Sequence, residues 1–313
     1  MSCGDKDFVP STGQENLMLV ILGTIIVIGS VLGGFLLHGG QIMVLYQPTE
    51  FLVIGGAGLG SMIISSSPHL LKTLMANIKD AVFGHSMSKE ENKQVVCFVY
   101  ECFKMLTANP ISMDKHIEDP KNSDLFNRYP AVVNNHHATE FFCDTLKVQL
   151  VARLASYDLE DLMDLDINTV HKEEHQVPTL VAKVGDAMPG LGIVAAVLGV
   201  VITMGKLTEG KEVIGHSVAA ALVGTFLGVL LSYGFFQPLA TKIETTLDGH
   251  SNVINILKAA ISAYTKGCNA KVCAEFARRC IPLETRPSFA EIDEATSQIG
   301  KGGGGAAPAA KAA

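Results

Sequence analysis

The sequence predicts an all-α integral membrane protein with four transmembrane helices and a large, mostly helical cytoplasmic domain. Of its 313 residues, 48% are hydrophobic and only 18% are charged, and the mean hydropathy is +0.31. The apolar residues are concentrated in four uncharged runs, and most Lys and Arg lie between the second and third runs or after the fourth. This combination is typical of a multi-pass membrane protein and not of a soluble one.

Each uncharged run is close to the length that a helix needs to cross a bilayer. Residues 17–37 form a run of 21, which spans about 30 Å as a helix. Residues 51–67 form a shorter run of 17 that is rich in Gly and Ser. The third run, 189–204, extends to 185–205 if the Asp186 carboxylate lies at the interface, and the fourth is 214–236. All four are expected to span the membrane.

The positions of Lys and Arg predict the orientation of the chain in the membrane. The link 38–50 has no Lys or Arg, whereas the segments after the second and fourth runs carry basic residues close to the membrane. Basic residues near the spans favour the cytoplasmic side, so both termini are expected in the cytoplasm. Lys206 and Lys211 in the other link count mildly against this orientation.

The predicted organisation follows from these runs. It is a cytoplasmic tail 1–16, spans 17–37 and 51–67 joined by a periplasmic loop 38–50, a cytoplasmic domain 68–184, spans 185–205 and 214–236 joined by a periplasmic loop 206–213, a cytoplasmic helical region 237–300 and a disordered tail 301–313. The tail is predicted from its low-complexity Gly and Ala composition.

The spans are rich in small residues, which let membrane helices approach closely and predict a multi-helix or oligomeric assembly. The string GGAGLG at 55–60 superficially matches a dinucleotide-binding loop, but it lacks the preceding strand that such a loop requires. No acid or base is expected inside the spans. A channel made from this chain alone would lack a titratable carboxyl group, so either it conducts no ions or a partner helix supplies the acid.

Other classes of function have little support. The net charge of −7 and the absence of a basic cluster argue against nucleic-acid binding. The seven cysteines are interpreted as free thiols, and no cofactor or metal is expected. The motif HKEEH matches the H-x-x-E-H pattern of some zinc proteases, with His171 and His175 as ligands and Glu174 as base, but no further ligand set is visible.

Five strings, taken together and in this order, resemble the MotA family, the A subunits of ion-driven flagellar stators. They are GGFLLHGGQIMVLYQPTEFLVIGGAGLGS, HIEDPKNSDLF, VGDAMPGLGIVAAVLGVV, ALVGTFLGVLLSYGFFQPLA and RPSFAEID. The resemblance implies a pentamer around two copies of a MotB-type B subunit, whose helix carries the ion-binding aspartate. It also implies a location in the bacterial inner membrane. The partner would supply the acid that the spans of this chain are expected to lack.

The resemblance also implies roles for residues of the third and fourth spans. Pro189 and Pro238 match two functional prolines, which would kink a helix and free a backbone carbonyl. The plainer alternative is that Pro189 starts its span and Pro238 ends its own. Thr225 matches a pore-facing threonine, and Ala196 replaces a threonine of sodium-driven relatives, which favours protons as the translocated ion. Asp186 and Tyr233 complete the candidate ion path.

The resemblance further implies contact with a rotor switch-complex protein of the FliG type. The candidate rotor-facing charges are Lys104, Asp114, Lys115 and Glu118, of which Asp114 matches the acidic position of the family. Near Leu106 and Thr107, where the family has an arginine, this sequence has none. The expected function is that of a proton-driven stator subunit. The alternatives are a sodium-driven stator, an ExbB/TolQ-like energiser of outer-membrane transport and, in another class, a membrane zinc protease.

Overall fold

The structure, a computed structural model, describes residues 13–84, 87–205 and 210–301. Predictions for residues 1–12, including Cys3, for the link residues 206–209 and for the tail 302–313 lie outside the described residues. Within the described ranges the chain is helical and contains no β-strand, which confirms the predicted fold class.

The helices follow one another along the chain with short connections. They are α1 Gly13–Leu37, α2 Ile42–Leu45, α3 Pro48–Ile64, α4 Pro68–Phe83, α5 Lys89–Ala108, α6 Pro110–Glu118, a 3₁₀ turn Pro120–Asn122, α7 Asp124–Asn127, α8 Pro130–Val133, α9 His136–Ala152, α10 Ser156–Glu174, α11 Gln176–Met204, α12 Lys211–Leu231, a π-helical turn Ser232–Phe236, α13 Gln237–Thr265, α14 Ala270–Cys280 and α15 Phe289–Lys301.

Four helical stretches in the described part of the chain are long and apolar enough to cross a membrane. They are Asn16–Leu37, Ile42–Ile64, Ser156–Met204 and Val213–Thr265. Four spans were predicted from the apolar runs, and the helices that contain these runs confirm that number. The last two helical stretches are much longer than the bilayer core is thick, so helix continues beyond the apolar run in each.

Local signals explain where several helices begin. Pro48, Pro68 and Pro110 each lie in the first turn of a helix, where the missing N–H of proline costs nothing. Ser88 caps α5, because its hydroxyl accepts from the N–H of Glu91 and the Glu91 carboxylate accepts from the N–H of Ser88. At Pro110 α6 begins one residue after the N-cap Asn109, directly behind the end of α5 at Ala108.

The chain divides into two units. The membrane unit comprises the described residues of 12–85 and 174–246, and the globular unit comprises those of 86–173 and 247–313. In the membrane unit α3, α11 and α12 pack against one another, and α1 packs against α4. Asn16 ties three helix ends of this unit together: its amide donates to Gly84 O at 3.1 Å and its carbonyl accepts from Lys242 Nζ at 2.7 Å.

The globular unit has an aromatic core. The ring of Phe98 lies 4.9 Å from that of Phe126 and 5.0 Å from that of Phe142, in edge-on or tilted arrangements that aromatic pairs favour. Tyr129 is buried beside them and donates to Glu101 Oε2 at 2.7 Å, so burial and this hydrogen bond both raise the pKa of its phenol. The six cysteines that the structure describes are free thiols.

Candidate functional site

The third and fourth spans meet through glycines at backbone contact distance. A Cβ atom added to Gly192 would lie 2.8 Å from Gly224 O and 3.2 Å from Thr225 Cα, and one added to Gly228 would lie 2.5 Å from Met188 O. All three distances are shorter than ordinary van der Waals contact, which begins at 3.4 Å. The predicted role of small residues as packing surfaces is therefore realised between α11 and α12, where no larger residue fits.

Pro189 lies inside α11, which begins thirteen residues earlier at Gln176. Pro189 therefore does not start its helix, and the alternative that it starts the membrane span stays a prediction. Proline has no N–H, so residue 189 cannot donate to the carbonyl of Gly185, four residues before it. This places a weak point in the main-chain hydrogen bonding of the third span, close to its contact with the fourth.

Pro238 also lies within a continuous helical stretch, because α12, the π turn and α13 follow one another without a break from Lys211 to Thr265. Pro238 therefore does not end its helix, and the alternative that it ends the membrane span stays a prediction. The π turn precedes the proline, and within it Gln237 N–H donates to Ser232 O, five residues back. π turns inside helices are frequent at functional sites and are common causes of kinks.

The two proline regions are joined by a side chain. Gln237 Nε2 donates to Asp186 Oδ1 at 2.7 Å and to Ala182 O at 3.4 Å. Gly185 lies against the same turn, since a Cβ added to it would come within 2.9 Å of Phe236 Cβ. Asp186 is exposed, and its carboxylate thus links the third span to the start of α13 directly beside Pro238.

The other predicted ion-path residues are distributed along these two helices. Thr225 and Ala196 are half-buried, and Tyr233 is exposed on the π turn. The Thr225 backbone packs against Gly192, as described above. Their roles stay predictions.

Glu50 corrects the expectation that the spans contain no acid. The sequence places it in the loop 38–50, but the structure places it in the first turn of α3, 8% exposed, with Oε2 lacking a hydrogen-bond partner among the described residues. A Cβ added to Gly224 would lie 2.6 Å from this oxygen. Because Gly224 is the eleventh residue of the 23-residue apolar run 214–236, the carboxyl group lies beside the middle of this run. The signal that could have revealed it is Pro48, a typical first residue of a helix.

The four predicted rotor-facing charges, Lys104, Asp114, Lys115 and Glu118, are all exposed on α5 and α6 of the globular unit. Asp114 also lines a groove of about 460 Å³ whose walls include Leu106 and Arg153. Arg153 caps α9 with φ of 48°, a left-handed conformation that is uncommon outside glycine. The tertiary structure thus brings an arginine to the groove that contains Leu106, which local sequence comparison could not find.

The zinc-protease motif does not lie within one helix. Glu174 is the last residue of α10, His175 lies between helices, and α11 begins at Gln176. His175 Nδ1 lies 3.9 Å from Glu244 Oε1 within the membrane unit. The motif therefore lies at the junction of α10 and α11, with His171 in α10 and His175 between the two helices.

Comparison with known proteins identifies the family. Residues 21–110 match the model for the motility protein A N-terminal region, and residues 133–255 match that of the MotA/TolQ/ExbB proton channel family. The chain is 34% identical over 279 residues to motility protein A of Salmonella typhimurium, and equally to that of Escherichia coli, covering 88% of this chain and 94% of each relative.

Solved structures share the fold. The Campylobacter jejuni MotAB structure matches with a TM-score of 0.69 at 16% identity, over 86% of this chain and 98% of the other. The flagellar MotAB stator complex of Bacillus subtilis matches with a TM-score of 0.67 at 17% identity, over 87% and 99%. Taken with the four spans and the glycine-packed helix pair, the sequence matches show that this chain belongs to the motility protein A group of the MotA/TolQ/ExbB proton channel family.

Proposed function

We propose that this chain is the A subunit of a flagellar motor stator, which forms a proton channel with a MotB-type B subunit and converts the proton motive force into torque on the rotor. The observation that carries the proposal is the pair of spans α11 and α12, each followed or interrupted by a proline and packed together through Gly192, Gly224 and Gly228. Such a pair can pivot without unfolding. The membership in the motility protein A group supports the same function.

Protons are the proposed ion. Ala196 offers a methyl group where sodium-driven relatives have a threonine oxygen, and sodium needs a shell of oxygen ligands. The membrane potential supplies about 2.3 kcal/mol per charge per 100 mV, which is enough to bias a small change in helix packing. We propose that protonation of the partner's aspartate removes its charge and that α11 and α12 then repack around the partner helix.

The assembly proposed is a pentamer of this chain around two copies of the partner, with both termini in the cytoplasm. The apolar face of α11 supports this arrangement, because Ile193, Val197 and Val201 are each more than half exposed in the single chain. In lipid such side chains are stable, and they also suit contact with a partner helix. The globular unit would then contact the FliG-type rotor protein through its exposed charges.

For the rotor contact we propose a surface that includes Asp114 and Arg153, which line one groove of the globular unit. The opposite charges of these two side chains suit a partner surface that also carries both signs. Ile111 and Val151 are 77% and 88% exposed beside them, so the surface also has apolar area to bury.

Motility measurements test the proposal. The chain is co-expressed with its B subunit in a strain without stators, and swimming is measured with sodium replaced by potassium. Swimming is expected to persist in potassium and to vanish in Pro189→Leu and Pro238→Leu, while both variants still reach the membrane. Pro130→Ala is the matched control, because Pro130 lies in the first turn of a helix, where its missing N–H has no consequence. Full swimming by both leucine variants would contradict the proposal.

The alternatives have their own outcomes in the same tests. Swimming that stops in potassium and returns with sodium would favour a sodium-driven stator. Failure to restore swimming, with rescue of an outer-membrane transport defect, would favour an ExbB/TolQ-like energiser. Stoichiometric zinc in the purified protein would revive the protease hypothesis built on His171, Glu174 and His175.

A further inference from the structure

Glu50 is a buried acid in the membrane unit whose surroundings give it no partner. Its side chain is 8% exposed, and Oε2 makes no hydrogen bond within the described part of the chain. The oxygen lies against the Cα position of Gly224, and the Ala195 Cβ borders the same space, since a Cβ on Gly224 would lie 3.2 Å from it. A side chain as small as alanine at position 224 would occupy the room that the carboxyl group uses.

Among the side chains that the structure describes, none that faces Glu50 is a counter-ion. The two helices packed against α3 are α11 and α12. Residues 187–204 of α11 contain no ionisable side chain, and residues 213–231 of α12 contain only His216, whose side chain lies outside the described residues. A carboxylate so placed is costly in a membrane, where intramembrane acids usually mark ion paths.

Two opposing effects act on the protonation of Glu50. The apolar surroundings favour the neutral acid, because removal of water penalises the charged form. The position in the first turn of α3 favours the carboxylate, because the positive end of the helix dipole lies at that turn. A residue that must both take up and release a proton needs such a balance, whereas a purely structural residue does not.

We propose that Glu50 is a proton-binding group of the channel, contributed by this chain in addition to the carboxylate expected on the partner helix. This inference rests on the proposed function. In the first step a hydronium ion transfers its proton to the Glu50 carboxylate, giving the neutral acid and water. In the second step the acid O–H bond breaks, the proton passes to the partner's carboxylate directly or through a water molecule, and the Glu50 carboxylate is restored.

The structural alternative is that Glu50 only stabilises the start of α3. Glutamine distinguishes the two roles, since it has the same shape and still accepts hydrogen bonds but cannot release a proton near neutral pH. Aspartate provides the complementary test of the two roles. It keeps a titratable carboxyl group but withdraws it by one methylene from Gly224.

The experiment uses the full chain with its B subunit in proteoliposomes. Proton uptake under an imposed potassium diffusion potential is followed with a pH-sensitive dye. Proton flux is expected to fall by at least about 100-fold in Glu50→Gln, the lower end of the range found when a proton-transfer group is removed, and less in Glu50→Asp. Glu140→Gln makes the same chemical change at an exposed carboxylate of the globular unit and is expected to conduct as the wild type does.

Wild-type flux in Glu50→Gln would overturn the proposal while leaving the stator function intact. No flux in the wild-type complex would instead count against the proposed function itself. If Glu50→Gln fails to assemble, infrared difference spectra of the wild type and of Glu50→Asp decide. A pH-dependent carboxylic C=O band whose frequency differs between the two proteins supports the proposal, and the same bands in both overturn it.

Discussion

Gly192 offers the sharpest test of how the third and fourth spans are packed. In Gly192→Ala the new methyl would lie 2.8 Å from Gly224 O, and ordinary contact begins at 3.4 Å, so α12 must move away by about 0.6 Å, the difference between these distances. Overpacking of this kind costs about 1–3 kcal/mol. The Gly-to-Ala change also gains up to about 1 kcal/mol of helix propensity, which offsets part of that cost.

Gly190→Ala is the matched control, because it lies in the same helix and a Cβ there would meet nothing within 4 Å. The control receives the propensity gain alone. The difference between the two variants therefore isolates the packing cost of about 1–3 kcal/mol, or roughly 2 to 10 °C in the unfolding midpoint of a chain of this size.

The assay is thermal unfolding of the purified full chain in detergent, followed by circular dichroism. Gly192→Ala is expected to unfold at the lower temperature. Equal midpoints for the two variants, or a more stable Gly192→Ala, would refute the conclusion that these helices are held at glycine contact distance.

Three further predictions concern the globular unit. In Arg153→Glu, swimming is expected to fall while proton flux in proteoliposomes stays unchanged, because only the rotor surface is altered; loss of both would contradict the assigned role. In a Cys3→Ser background, Cys280 is expected to be the first thiol to react with a maleimide, since it is exposed. Cys97 is expected to react slowly, because burial raises the pKa of its thiol to about 11. Rapid labelling of Cys97 in the native protein, read by mass spectrometry, would contradict this packing. The ion pair of Lys89 and Glu291 lowers the pKa of the Glu291 carboxyl to about 2, so its stabilisation is present above about pH 4.5 and is lost as the pH falls towards 2. Both side chains are substantially exposed, so solvent screening limits the contribution of the pair to the free energy of unfolding to about 0.5 kcal/mol. Glu291→Gln should therefore make the thermal unfolding midpoint less sensitive to acid. An unchanged pH dependence would show that the pair contributes nothing.

Much of the fold follows from hydrophobic runs alone. The four spans and the helical globular unit were predicted because apolar runs and amphipathic periods are local properties of the chain. Helix boundaries could be predicted less well from the sequence. Pro48 was assigned to a loop although it starts α3, and α11 and α12 with α13 extend well past their apolar runs. Beyond those runs the helices are stabilised by packing within the protein, which composition does not report.

The candidate site was predictable only in part. The family resemblance implied roles for Pro189 and Pro238, but whether these prolines end helices or interrupt them depends on residues before and after them that pack in three dimensions. Arg153 was missed because it is distant from Asp114 in sequence and reaches the same groove only through the fold of α9.

The sequence by itself determined that this chain has four membrane spans and that these are rich in small residues, because hydropathy and residue size are local properties of the sequence. Only the tertiary structure decided which glycines meet, how the two prolines are connected through Gln237 and Asp186, and where Glu50 lies. The last point changed the description of the membrane region. A carboxyl group assigned to a loop is instead buried beside the middle of the apolar run 214–236, because α3 begins at Pro48 and packs its first turn against Gly224.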